Sequence, residues 1–578
     1  MRFGIFYEHQ LPRPWGPGDE EKLLADALEQ VEIADRVGVD HVWEVEHHFL
    51  EEYSHSSAPE VFLAAASQRT HRIRLGHGIV QIPPAINHPA RVAERIATLD
   101  LVSHGRVDFG TGEASSAAEL GGFGVARSAK RAMWEEAFDV ITRMFVEQPF
   151  CGWDGQYVQM PPREIVPKPV QRPHPPLWVA CSRRETIHLA ARRGIGALSF
   201  SFVEPEDAAT WVREYYSIIE SADCLPAGFA VNPQVAVILP MMMAEDEATA
   251  IERGIDGAHF FGYSLSHFYG MRHVVGAADL WREFTERRDE TGFARHIVRP
   301  DQGPLGMRLL QESLGSLRGA IGTPDQVTEL IARYEAAGVD QVIFIMQAGG
   351  NRHEHICESL ELFGKRVLPR FADGREEKEA AKADRLAPAI EAALARRAPA
   401  RTLSVPYPID EDAEQIRARR AREPLRAPAA GGARVTVRAS AQERARLGLR
   451  RWVERVGEER VERVFGTLAV QRALFAMIAR QYDPRVGGGF AGEFGYELTT
   501  SDGRVLRWTI AVGGGKARAR AGLPHDPAVV LHAPVADFVR SLAGEQQLAS
   551  LLAGRTRIEG DMALAYRMAE MFGGRSPY

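Results

Sequence analysis

Cysteine is scarce in this chain. Its four cysteines, Cys151, Cys181, Cys224 and Cys357, stand far apart with no CxxC pair among 578 residues. That excludes a disulfide or zinc framework; no metal is expected, and a reducing cytoplasm fits. Long apolar runs are missing too. None reaches the ~20 residues that a bilayer-crossing helix needs, so no membrane span is expected. The opening Met1-Arg2-Phe3-Gly4-Ile5-Phe6 runs straight into a strand and is not a signal peptide. Neither sign of charge dominates: a net −7 predicts no nucleic-acid partner. No GxGxxG opens a first helix, which argues against an open dinucleotide-binding sheet. Gly513-Gly514-Gly515-Lys516 lacks phosphate-loop spacing and reads as a turn.

What is present is an ordinary globular composition, 45% hydrophobic and 25% charged, on a chain too long for one core. Three regions follow. Residues 1–372 alternate strand-like and helix-like runs, 373–434 form a charged, Ala- and Pro-rich linker, and 435–578 a second domain. In the first region, strands are predicted at Arg2–Tyr7, Asp40–Glu44, Ile73–Ile79, Val107–Gly110, Leu177–Ala180, Ala197–Phe200, Gln234–Leu239 and Gln341–Met346. Helices are predicted over 19–37, closed by Gly38, and over 89–102, 128–147, 184–193, 204–219 and 324–337. Eight apolar strands separated by amphipathic helices predict an α/β fold, a TIM (β/α)8 barrel.

Barrel chemistry sits where strands end. The second strand ends in Glu46-His47-His48-Phe49. Adjacent histidines on extended backbone point to opposite faces, so one can face a pocket while the other packs. A near-neutral imidazole can hydrogen-bond a reactive group and move its proton. Glu46 reads either as a group orienting a histidine or as a helix cap. The fifth strand leads through Ser182-Arg183-Arg184-Glu185-Thr186 into a helix, and hydroxyls with free N–H groups at a helix start suit an anion. Residues 285–320, with several Gly and Pro, read as an irregular loop of a length that is usually functional or disordered. The stretch from His259 to Tyr263, with Phe268 and Tyr269, reads as helix packing or a hydrophobic lining.

These pieces, with Asn87-His88-Pro89, Leu99-Asp100-Leu101-Val102-Ser103-His104-Gly105-Arg106, Trp281-Arg282-Glu283-Phe284 and Gly322-Thr323-Pro324, resemble the luciferase-like flavin monooxygenases over about 1–372. The resemblance implies a TIM barrel in which reduced FMN, supplied by a separate flavin reductase, attacks O2. The resulting C4a-peroxyflavin oxygenates a small hydrophobic substrate. It places His47 beside the flavin as the catalytic residue. It implies flavin contacts at Glu46, Gly78, Ile79, Gly112 and Phe200, a cis bond between Gly78 and Ile79, and a phosphate held by Ser182 and Thr186. Where luciferases carry a reactive cysteine and a phosphate-binding arginine, this chain has Gly112 and Glu113. A carboxylate there would repel phosphate, so either another cation, Arg183 or Arg184, replaces the arginine or the flavin sits differently. The family shields its flavin with a mobile segment where residues 285–320 stand, which implies a lid there, and it commonly forms homodimers. The deazaflavin F420, used by hydride-transfer enzymes on the same barrel, is the alternative cofactor. A lipid-binding protein without catalysis is the alternative of another class.

In the second domain, helices over 441–456 and 459–481 precede strands Gly492–Thr499, Val505–Val512 and Val529–His532, with a turn at Ser501-Asp502-Gly503. With Ile558-Glu559-Gly560-Asp561-Met562, this region resembles a sterol carrier protein-2 (SCP2) domain. That implies an α+β fold with a five-stranded sheet around an apolar tunnel for lipids. A packing module with a closed core is the other reading.

Overall fold

The computed structural model describes residues 1–288 except 183, 201–202, 271–275 and 277–278; 318–416 except 413; 456–542 except 457, 483, 485–489 and 526; 556–560; and 564, 568, 571 and 572. The chain forms two compact units, Met1–Ala433 and Arg434–Tyr578.

Eight parallel strands close the first unit into a barrel. They are β1 (Arg2–Tyr7), β2 (His41–Val45), β3 (Arg74–Gln81), β4 (Val107–Gly112), β5 (Leu177–Cys181), β6 (Gly196–Ser199), β7 (Val235–Met243) and β8 (Gln341–Gln347). β1 pairs with both β2 and β8, and β6 pairs with β7, so no edge is left. A short strand, Ala320–Gly322, extends the sheet beside the end of β7. All eight stand where expected; β7 runs on to Met243 rather than ending at Leu239. Helices at Asp19–Val37, Pro89–Val102, Lys130–Val146, Arg184–Arg192, Pro205–Ile219 and Pro324–Ala336 also match, and Gly38 closes the first with φ 102°.

Period-two alternation divides each strand between two cores. Phe3, Ile5 and Tyr7 of β1 face the helical layer, while Phe6 joins Trp43, Trp178, Leu198 and Ile345 inside the barrel. The two indoles meet edge to face at 5.2 Å. Gly76 and Gly196 leave room for them, since a Cβ on either would lie 2.3 Å from an indole ring. The Gly78–Ile79 bond, expected as cis, is trans; every cis bond among the described residues precedes proline. The β3–β4 ladder is redirected instead by a register shift between Gly76 and Val80.

The expected linker begins with a helix, Arg375–Ala395, that packs on the barrel through the fully buried Leu386 and Ala393. Arg2 donates two hydrogen bonds to Glu379, both at 2.8 Å. Arg375 pairs with Asp40 at 2.9 Å, and Arg401 beyond the helix pairs with Glu147 at 2.8 Å. No helix among the described residues is long and apolar enough to cross a membrane.

The second unit carries a five-stranded sheet of β9 (Gly492–Thr499), β10 (Val505–Gly513), β11 (Lys516–Ala521), β12 (Pro527–Pro534) and β13 (Arg557–Gly560), in the order β11-β10-β9-β12-β13. Helices Leu468–Arg480 and Val535–Leu542 contribute to its core, where Phe475 stacks on Trp508 at 4.9 Å and on Phe538 at 5.6 Å. Gly514 and Gly515, at φ 58° and 73°, make the expected turn. Residues 441–455 of the expected helix, and 561–563 of the Ile-Glu-Gly-Asp-Met signature region, lie outside the described residues.

Candidate active site

The alternation that turns Phe6 inward carries on past β1 to Glu8. The one that turns Trp43 and Val45 inward carries on past β2 to His47. The two ends converge: His47 Nε2 stands 3.7 Å from Glu8 Oε2. On its other side, His47 Nδ1 lies 2.8 Å from Glu119 Oε1. Glu119 sits on the short helix Ala117–Gly122, whose N-cap Ser116 donates its hydroxyl to Glu119 Oε2 at 2.6 Å. The Gln81 amide and the His48 N–H donate to Glu119 Oε1 at 2.5 and 3.2 Å. The Tyr53 hydroxyl donates to Glu8 Oε1 at 3.0 Å. Backbone fixes the imidazole as well, since the His47 N–H donates to the Ser56 carbonyl at 2.8 Å.

Charge follows from this packing. Burial would lift the carboxyl of Glu119, but His47, Ser116 and Gln81 outweigh it and hold it down at about 2. Burial pushes Glu8 up to about 7 against the pull of His47 and Tyr53. Burial would lower His47, but Glu8 and Glu119 override it and raise the imidazole to about 9. The near-neutral imidazole expected from the sequence is thus a charged one, because a carboxyl group flanks each ring nitrogen.

His48 takes the opposite face, edge-on to Phe123 at 4.9 Å. Of the two roles read for Glu46, the histidine-orienting one is realised: Glu46 Oε1 lies 3.1 Å from His48 Nε2 and accepts from the Asn87 amide at 2.7 Å, and Oε2 accepts from the Gln81 N–H at 2.8 Å. At the mouth, a Cβ on Gly78 would lie 3.1 Å from Phe6, and one on Gly112 would lie 2.5 Å from Ile79 Cδ1. Phe200 meets Phe6 edge to face at 5.2 Å, so Gly78, Ile79, Gly112 and Phe200 gather round one apolar cluster. Ser182 is exposed between β5 and the helix Arg184–Arg192, with Thr186 on that helix's first turn. Glu113 is matched by Lys130 and Arg131, each at 3.1 Å, cations that the sequence reading did not single out. Arg184 pairs with Glu214 at 2.8 Å, and Arg183 lies outside the described residues.

Phe260, Phe261, Tyr263 and Phe268 are buried among Tyr53, Trp281 and Phe284, which is the packing reading of that stretch. Most of the expected lid, 289–317, lies outside the described residues. Sequence reasoning missed Glu8, Tyr53, Gln81 and Glu119. Ser116-Ala117-Ala118-Glu119 has the S-x-x-E spacing of a helix start, a signal that could have found the last. Glu8 had only its place two residues beyond Phe6.

A family model described as luciferase-like monooxygenase matches residues 1–341, and one described as SCP-2 sterol transfer family matches 488–573. Limonene 1,2-monooxygenase of Rhodococcus erythropolis is 29% identical over 312 residues, covering 52% of this chain and 76% of its own. The oxygenase component of the flavin-dependent trigonelline monooxygenase of Acinetobacter baylyi is 24% identical over 382 residues, 65% of this chain and 97% of its own. Among solved structures, a monooxygenase of Streptomyces bottropensis is 26% identical with a TM-score of 0.50, over 64% of this chain and 100% of its own. The C-terminal match marks an SCP2 domain in the second unit. The N-terminal match takes in seven barrel strands and reaches the first residue of the eighth, and the chain belongs to the luciferase-like monooxygenase family.

Proposed function

We propose that the barrel binds reduced FMN at the carboxyl ends of its strands, takes electrons from a separate reductase by way of that flavin, and oxygenates a small hydrophobic substrate. The observation that carries this reading is the inward-facing His47 clamped between Glu8 and Glu119 at the mouth of the barrel. The residues present fit a flavin. Hydroxyls of Ser182 and Thr186 at the start of a nine-residue helix suit the phosphate. The repulsion expected from Glu113 is cancelled by Lys130 and Arg131. Gly78, Ile79, Gly112 and Phe200 offer a flat ring small or apolar neighbours. Reduced flavin, when bound, supplies the electrons that activate O2. His47 holds a proton at Nε2 for the reacting oxygen, Glu119 orients the ring, and the aromatic cluster around Phe6 and Phe200 excludes water.

That a relative is named an oxygenase component supports a separate reductase here, and the limonene enzyme supports an apolar substrate. The SCP2 domain, carried on the same chain, would hold or deliver such a substrate at high effective concentration. FMN and F420 titrations of the full chain, followed by turnover with reduced FMN, O2 and a terpene, test the proposal. FMN is expected to bind, and His47→Ala to cut product yield roughly a hundredfold with FMN affinity little changed. Binding of F420 alone would move the chemistry to hydride transfer. Lipid binding without either cofactor would leave a non-catalytic lipid-binding protein.

A further inference from the structure

Both ring nitrogens of His47 face carboxyl groups, and the two are held differently. Glu119 accepts from His47, Gln81, His48 and Ser116, so it is satisfied and keeps the Nδ1 proton in place. Glu8 is held by one oxygen only. Its Oε1 accepts from Tyr53, while the buried Oε2 has no hydrogen-bond partner among the described residues and stands 3.7 Å from Nε2. That gap is longer than a hydrogen bond and too short for a bridging water, so a side-chain shift of under ~1 Å closes it. Among the described residues, Glu46 and Tyr53 also stand near the imidazole, and Glu44 acts on Glu8 and is paired with His9 at 2.8 Å.

We propose, on the flavin-monooxygenase reading above, that Glu8 is the proton-exchange partner of His47 and restores its Nε2 proton after each turnover. The step moves a proton alone: the O–H bond of the Glu8 carboxyl breaks as the Nε2–H bond forms, leaving carboxylate beside imidazolium, and Glu8 then regains a proton from solvent. Glu119 is a positioning residue that keeps Nε2 aimed at Glu8. The buried carboxyl of Glu8, raised to about 7, is half-protonated near neutrality, as such a store requires. The rate should therefore be highest where Glu8 carries its proton and fall as pH rises through about 7.

Full-length Glu8→Gln and Tyr53→Phe test this by two readouts. One is the titration of His47 by NMR on histidine-labelled, flavin-free protein, with the infrared band of the protonated carboxyl. The other is the pH profile of turnover. Glu8→Gln is expected to lower the proton affinity of His47 tenfold or more, remove the carboxyl band that titrates near neutrality, and abolish the matching limb of the rate profile. Tyr53→Phe keeps the carboxyl but removes a donor to its charged form, so band and limb should move to higher pH. An unchanged His47 titration and pH profile in Glu8→Gln overturns the proposal. If Glu8→Gln does not fold, an unmoved band in Tyr53→Phe overturns it alone. Because the titrations need no flavin, absence of FMN binding with these shifts intact would refute the oxygenase reading and leave the Glu8–His47 exchange standing.

Discussion

His47 is kept charged by its neighbours, and that has a signed consequence for stability. Its folded-state value, raised from 6.5 to about 9, contributes stability that is complete below 6.5 and lost as pH rises through 9. Glu119, lowered from 4.5 to about 2, contributes fully above 4.5 and loses that as pH falls through 2. Glu8, raised from 4.5 to about 7, favours the neutral form, so its contribution fades as pH rises through 7. Melting temperatures measured across pH should therefore peak on the acid side of neutrality. Glu119→Gln should flatten the acid limb. His47→Gln removes the imidazolium that pairs with the buried Glu119, and denaturant unfolding at neutral pH should show a loss of about 3 kcal/mol.

At the scale of strands, two glycines at the end of β4 look alike in sequence and differ in what surrounds them. A Cβ on Gly110 would lie 2.0 Å from the His77 carbonyl, which is backbone of β3 and has nowhere to go. A Cβ on Gly112 would meet the terminal methyl of Ile79 at 2.5 Å, an atom that a rotamer change can move. Gly110→Ala should therefore cost about 3 kcal/mol and Gly112→Ala clearly less, as thermal denaturation of the two variants would show. Equal losses would mean that β3 yields as readily as a side chain. Glu52 anchors a helix: it accepts the N–H groups of Leu280 at 2.5 Å and Trp281 at 3.2 Å at the start of Leu280–Arg287, and so ties that helix to the 3-10 turn Glu51–Tyr53.

Over the whole first unit, the barrel takes in chain well beyond its last strand. The helix Arg375–Ala395 reads in sequence as charged spacer, yet Leu386 on it is completely buried and its charges find partners at the starts of strands: Arg375 on Asp40 before β2, Lys382 on Asp340 before β8. Leu386→Ala in the full chain should cost 2–4 kcal/mol, measured as a lowered unfolding midpoint. A solvated spacer would show no change.

The eight barrel strands, six of the helices around them and three strands of the second sheet were legible in sequence, whereas the helices Pro59–Arg69 and Glu247–Gly270 were not. Near-continuous apolar runs bounded by Gly, Pro and polar residues mark strands covered on both faces, whatever covers them. Edge strands Lys516–Ala521 and Arg557–Gly560 carry no such signal: Lys-Ala-Arg-Ala-Arg-Ala has alternation but nothing large or β-branched, and its neighbour β10 supplies the pairing. His47 was legible as a strand-end histidine. Its charge was not, because the groups that set it come from the ends of two other chain segments, Glu8 after β1 and Glu119 some 72 residues on. A pKa depends on distance through space and on exclusion of water, and neither is written along the chain; only closure of the barrel brings the three side chains together and buries them.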